Sequence, residues 1–317
     1  MTTASQNPTK YDSRYVKSAD GTEIYADACG NRSPNSPVLV LIHGAFMVKG
    51  AFDPIIEDPK WTSSVFFVRY DTRGHGRSGK STAEEAWESK RFSEDFEAVC
   101  SEFNVREAYV LGWSIGSAQF VDIMSYNTTV RINGFISVAG AIYLDPSVAK
   151  RTARPLVFEC AAALTAPSST DVFQEGLLNF LHLCSDKLPT DLFRVLLEGM
   201  VLQPRAAAVW VHKRKQDPEK MLEAARAGKL PLLAIGGGKD KFLDEDGFKA
   251  TYEELGWQRM TYRHLEDADH VPWVSSPEEF RDVVLAWLRE LQPSAEETVE
   301  GGFFPRLKNL LNWMMSR

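Results

Sequence analysis

The chain is poor in cysteine: Cys29, Cys100, Cys160 and Cys184 are four in 317 residues and widely scattered. That excludes a disulfide framework and a paired-thiolate zinc site, and the four are expected to be reduced, mostly buried thiols. No uninterrupted apolar run reaches the roughly 18 residues of a membrane span, and the polar segment Met1–Lys10 lacks the apolar stretch of a secretory signal. A soluble, cytoplasmic protein is the expectation. A basic excess is missing too: 36 lysines and arginines face 43 carboxylates, a formal net charge of −7. Phosphate-gripping proteins carry a basic excess or stripe, so no nucleic-acid partner is expected. Internal repeats, low-complexity segments and an arginine cluster suited to a phosphate or coenzyme A handle are also lacking. What is present is core material, 44% apolar and 11% aromatic residues, in a length that nominally suggests two domains.

Alternating residues over Tyr11–Lys17 and Thr22–Ala28, around Asp20-Gly21, predict a hairpin at one edge of a sheet. The continuous apolar runs Val38–Ile42, Val65–Tyr70 and Ala108–Leu111 read as strands buried on both faces, with helical stretches at Ser93–Phe103, Ala118–Tyr126 and Pro277–Leu291. This alternation predicts an α/β fold, a mostly parallel central sheet flanked by helices. After a further strand at Ile132–Ala139, the next apolar run, Leu230–Ile235, arrives about ninety residues later and is followed by Met260–Leu265. The expected organisation is a core over 1–140, a helical lid over 141–229, the core resumed over 230–291, and a linker with an amphipathic helix over 292–317.

The pentapeptide Gly112-Trp113-Ser114-Ile115-Gly116 lies between a buried strand and a helix. A nucleophile on so sharp a turn needs small residues two before and two after it, because strand and helix approach closely there. The turn pushes the Ser114 hydroxyl out of the sheet, and the helix start brings backbone N–H groups, chiefly that of Ile115, beside a reacting carbonyl. Serine needs an adjacent base, and the base an orienting carboxylate. His270, in the loop after the last strand, is placed to be that base. Asp240, in Gly236-Gly237-Gly238-Lys239-Asp240, is favoured as the carboxylate by its distance from the strand end, with Asp244 and Asp246 as rivals.

In the order serine, aspartate, histidine, this set resembles the α/β-hydrolases, serine-nucleophile branch. His43-Gly44-Ala45-Phe46 looks like the family's oxyanion-hole turn, which implies that the Ala45 N–H joins that of Ile115. Asp71-Thr72-Arg73-Gly74-His75-Gly76-Arg77-Ser78 is similar to a segment common in the family. His43 and His75 then shape turns, and Arg73 anchors a loop. The sequence departs from the pattern at Asp269, where glycine is usual, at Ser275, often glutamate, and at Ser117, frequently glycine; Asp269 could compete for the orientation of His270. Members that open epoxides or displace halide usually carry aspartate at the elbow, so Ser114 implies acyl transfer instead, with no metal or organic cofactor.

Phe46 and Trp113 are expected to line the substrate pocket, giving a site for a small-molecule substrate with an apolar acyl part. Ester hydrolysis is the first expectation. Cleavage of a β-diketone-type carbon–carbon bond is the second, with Arg151, Arg154, Arg194 and Arg205 available to hold an acid, and a non-hydrolytic binder on the same fold is the third. The apolar, basic segment Phe303–Arg317 has helical spacing. Docking on the chain's own body is preferred there to a partner contact or to membrane contact.

Overall fold

In the computed structural model, residues 11–292 are described, and the chain divides into two compact units, Met1–Arg281 and Asp282–Arg317. In the first, β1 (Asp12–Lys17), β2 (Glu23–Gly30), β3 (Val38–Ile42), β4 (Phe66–Tyr70), β5 (Glu107–Trp113), β6 (Arg131–Val138), β7 (Leu232–Gly237) and β8 (Met260–Leu265) form one sheet in the order β1-β2-β4-β3-β5-β6-β7-β8. β2 pairs antiparallel with both neighbours, and every other pairing is parallel. The apolar runs of β3, β4 and β5 are buried along almost their whole length, as strands covered on both faces require. One large core beneath the sheet joins Val40, Ile42, Val68 and Phe135 to Phe96 and Val99 of helix Ser89–Glu102, Phe120 of helix Gln119–Tyr126 and Phe248 of helix Glu245–Glu254. In that core the rings of Phe120 and Phe135 stack 3.9 Å apart.

Between β6 and β7 the chain is helical and adds no strand to the sheet. The first and last helices of this stretch, Pro146–Thr152 and Glu219–Arg226, place Val148, Met221, Leu222 and Ala225 in the main core, so the segment lying outside it is narrower than 141–229. It comprises helices Pro155–Thr165, Thr170–Cys184, Thr190–Leu202 and Arg205–Lys213. The last of these is fastened at its far end: Arg214 reaches the buried Asp122 at 2.9 Å, and the Gln216 amide donates to Asp122 and to the Ala118 carbonyl. All four cysteines carry free thiols, three of them buried.

Helix Pro277–Leu291 begins in the first unit, and its residues from Asp282 belong to the second. Among the described residues no helix is long and apolar enough to cross a membrane. The amphipathic helix expected over Phe303–Arg317 lies outside the described residues.

Candidate active site

Ser114 is the first residue after β5 and opens a 3-10 turn, Ser114–Ala118, that runs into helix Gln119–Tyr126. Its φ is 54°, in the left-handed region that a residue with a Cβ adopts at a cost. The flanking glycines are needed for space. A Cβ on Gly112 would lie 2.5 Å from Ser117 Cα, and one on Gly116 would lie 2.4 Å from the Ile42 carbonyl oxygen. Ser117 replaces a family glycine without loss, because its hydroxyl donates to the Gly112 carbonyl at 2.7 Å and accepts from Ser137 at 3.1 Å beneath the turn.

The loop after β3 comes directly against this turn: a Cβ on Gly44 would be 3.1 Å from Ser114 Cβ. Phe46, at φ 63°, reverses the chain, and Met47 N–H donates to the Gly44 carbonyl at 3.3 Å. Ala45, Ser114 and Ile115, the three residues expected to supply hydroxyl and oxyanion donors, are partly exposed between buried neighbours.

Two further loops carry the other expected residues. The loop after β7 and the loop after β8 are zipped by backbone bonds from Gly238 N–H to Leu265 O and from Lys239 N–H to Ala268 O. They approach so closely that a Cβ on Gly237 would lie 2.5 Å from Ala268 O and one on Gly238 2.6 Å from Glu266 O, which is the physical reason for the glycine run. Across this junction His270 Nδ1–H donates to Asp240 Oδ2 at 2.8 Å, with both side chains buried. Asp240 Oδ1 accepts from the N–H groups of Phe242 and Leu243 at 2.7 and 3.0 Å. Burial alone would raise the Asp240 pKa. The charge and hydrogen bond of His270, with the two backbone donors, outweigh it and hold the carboxyl below its ordinary value. With Nδ1–H committed to Asp240, Nε2 is the ring nitrogen left to exchange a proton with a substrate.

The rivals of Asp240 have other duties. Asp244 caps helix Glu245–Glu254 by accepting from Gly247 N–H, and Asp246 is exposed. Nor does Asp269 compete for His270: its oxygens accept from Ser185 Oγ at 2.6 Å and Val271 N–H at 2.9 Å, while Ser275 Oγ accepts from its N–H. Ser114 Oγ makes no hydrogen bond with His270 here. What joins their loops is Trp113, whose indole N–H donates to the His270 carbonyl at 2.7 Å.

Trp113 therefore differs from the expectation that it lines the pocket. It is 1% exposed, and its ring packs against Phe52, Trp273 and His270, behind the imidazole. Phe46, also buried, is edge-on to Phe180 at 5.4 Å; Phe180 stacks on Phe242 at 5.3 Å, and Phe242 meets His270 edge-on at 5.0 Å. This aromatic arc escaped sequence reasoning because Phe180 and Phe242 come from segments sixty residues apart. Phe242, two residues after Asp240, carried the one usable signal.

His43 and His75 form a neutral buried pair with rings 4.8 Å apart. His43 Nδ1–H donates to Gly44 O and its Nε2 accepts from Thr72 N–H; His75 Nδ1–H donates to Arg73 O and its Nε2 accepts from the Gln203 amide at 2.8 Å. Burial pushes both pKa values down. Arg73 is bidentate to Asp95 and reaches Asp20 and the Ala86 carbonyl. Of the arginines considered for an acid substrate, Arg151 bonds Glu254, Arg154 the Leu243 carbonyl and Arg194 Asp191, while Arg205 covers the Phe173 ring. Among the described residues no three or more His, Cys, Asp or Glu side chains converge to hold a metal ion.

Comparison with solved structures gives the same architecture. A candidate aryl esterase from Burkholderia cenocepacia superposes with a TM-score of 0.76 at 23% identity, over 88% of this chain and 98% of that one. The esterase RhEst1 from Rhodococcus sp. ECU1013 does so with a TM-score of 0.75 at 20% identity, over 88% and 99%. At these identities the likeness is one of fold. Among curated proteins, those named "Probable oxidoreductase EphD" in Mycobacterium bovis and Mycobacterium tuberculosis are 34% identical over 137 residues, 42% of this chain. The match spans about a fifth of the length of those proteins (22%). The profile of the Alpha/beta hydrolase family matches residues 39–283, which take in the Ser114 turn, the Asp240–His270 pair and the helical insertion, and the chain belongs to that family.

Proposed function

We propose that the protein is a serine hydrolase that cleaves a carboxylic ester, or a related acyl compound, with an apolar acyl part. The observation that carries this reading is the buried Asp240–His270 pair, whose free Nε2 stands on the loop that Trp113 ties to the strained Ser114 turn. Ser114 Oγ attacks the carbonyl carbon while His270 Nε2 takes its proton. The carbonyl oxygen becomes an oxyanion held by the N–H groups of Ala45 and Ile115. As the tetrahedral intermediate collapses, His270 returns the proton to the leaving alkoxide, and an acyl-enzyme remains on Ser114. Water, deprotonated by His270, then releases the acid. Asp240 keeps the imidazole in the required tautomer and stabilises its cation. Helices within residues 155–213 serve as the lid, and Phe46, Phe180 and Phe242 give the acyl group an aromatic wall. The esterase titles of the structural neighbours agree with this reading, and the outward engagement of the four arginines favours an ester over an acidic β-diketone.

A fluorophosphonate probe tests it. Labelling of the wild type that disappears in Ser114→Ala and falls strongly in His270→Ala is the expected result; efficient labelling of another serine, with Ser114 silent, overturns it and favours a non-hydrolytic role. p-Nitrophenyl esters of increasing acyl length, run beside β-diketones, then separate ester from carbon–carbon cleavage.

A further inference from the structure

The aromatic arc has a polar end. Phe46 also packs against His212, near the end of helix Arg205–Lys213, with ring centroids 5.6 Å apart at 31°. Ala207, Ala208 and Val211 of the same helix are buried, and Ala207 and Val211 belong to a small cluster that Ile115 packs against. The helix thus touches the neighbours of both proposed oxyanion donors, Phe46 beside Ala45 and Ile115 itself. It is held at both ends, by Gln203 on His75 and by Arg214 on Asp122, which fixes where its side chains stand.

His212 is partly exposed as a residue, and burial around its ring pushes its pKa below the ordinary 6.5. Its Nδ1 lies 2.7 Å from the Ala208 carbonyl, which can only accept, so Nδ1 carries the hydrogen. In the neutral ring Nε2 is then an acceptor. It bonds to no described residue and is not among the sealed, unpartnered polar atoms. The arc therefore runs from a base at His270, across three phenylalanines, to an unengaged neutral acceptor.

We propose that His212 is a specificity residue: its Nε2 accepts a hydrogen bond from a hydroxyl or amide N–H carried close to the scissile carbonyl, so that hydroxy- or acylamino-substituted esters are preferred to plain ones. This rests on Ser114 and His270 being the reacting centre. A hydrocarbon chain laid along the phenylalanines leaves the His212 lone pair without a donor, whereas a substituted one satisfies it. Discrimination of this kind arises because a site built for a donor binds the analogue lacking it with a polar group left unpaired.

The test compares kcat/KM for p-nitrophenyl butanoate with the 2-hydroxy and 3-hydroxy butanoates and the N-acetylglycine ester. The expected wild-type ratio for the best substituted ester over the plain one is about tenfold or more. It collapses toward one in His212→Phe and is partly restored in His212→Gln, which keeps an acceptor. A wild-type ratio near one, a ratio unchanged in His212→Phe, or a ratio no higher in His212→Gln than in His212→Phe overturns the proposal. Calorimetric binding of the corresponding acids to Ser114→Ala separates the two readings. Preferential binding of the substituted acid without hydrolysis by the wild type sinks the hydrolase reading and keeps the role of His212; hydrolysis without preference does the reverse.

Discussion

Ser114 is held at a φ of 54° by the strand before it and the helix after it, a conformation costing a residue with a Cβ about 1–2 kcal/mol relative to glycine. Removing the side chain should therefore stabilise the fold while abolishing the chemistry. Ser114→Gly is expected to exceed Ser114→Ala in stability by about 1 kcal/mol in urea unfolding, with neither variant labelled by a fluorophosphonate. Asp240→Asn keeps the shape of the acid but removes the acceptor that selects the His270 tautomer. A fall in kcat of about 10⁴-fold with unchanged circular dichroism is expected, and a fall of less than tenfold would remove Asp240 from the proposed mechanism. At this scale the sequence spoke most clearly where chemistry and backbone demand coincide: Gly112, Gly116 and the Gly236–Gly238 run are legible because tight turns tolerate so few residues. Trp113 is not legible in the same way, because a large aromatic beside a nucleophile can turn outward or inward. The choice was made by the His270 carbonyl, 157 positions away, which accepts its indole hydrogen.

Helix Arg205–Lys213 is the element whose placement depends most on distant partners. Its anchor, Asp122, is fully buried on helix Gln119–Tyr126 and accepts from Ser89, Gln216 and Arg214. Asp122→Ala leaves the Arg214 guanidinium buried without its counter-charge, at an expected cost of about 3–5 kcal/mol. Urea unfolding gives the cost, and limited proteolysis should show cleavage within 203–216 before the rest of the chain is cut. The strands were readable from their apolar runs because burial on both faces leaves no polar interruption; β7 begins two residues later than its run, past Pro231, which has no N–H to give to a ladder. The helices between β6 and β7 were readable as helices, but not by destination. Periodicity defines an apolar face without saying what it meets, so Val148 and Met221 in the main core, and Phe180 and His212 over the site, could not be told apart beforehand.

Taken as a whole, the first unit buries several groups in their neutral form, and that gives its stability a pH dependence. His43, His75 and His212 have pKa values lowered by burial from an ordinary 6.5, so the unfolded chain binds protons more readily than the folded one. Their contribution is complete above about pH 6.5 and is lost as the pH falls below it. The lowered Asp240 carboxyl contributes fully above its ordinary value of 3.8 and loses its contribution only in stronger acid, outside the histidine window. Urea midpoints taken from pH 7.5 to pH 5 are expected to fall below pH 6.5, the exposed His264, raised by Glu245 and Glu266, offsetting only part of the loss; a midpoint that rises on acidification would contradict the assignment of these rings as neutral.

The long helical excursion between β6 and β7 also sets a timetable for biosynthesis. When β6 has been made, Phe135–Val138 form an open sheet edge, and the backbone groups that will pair with them, in Leu232–Ile235, lie 97 residues further along the chain. At about 5–20 residues per second, a ribosome leaves that apolar edge uncovered for roughly 5–20 s. During this interval the nascent chain already displays Ser114 but has neither Asp240 nor His270, so it is inert as a catalyst while most open to pairing with other chains.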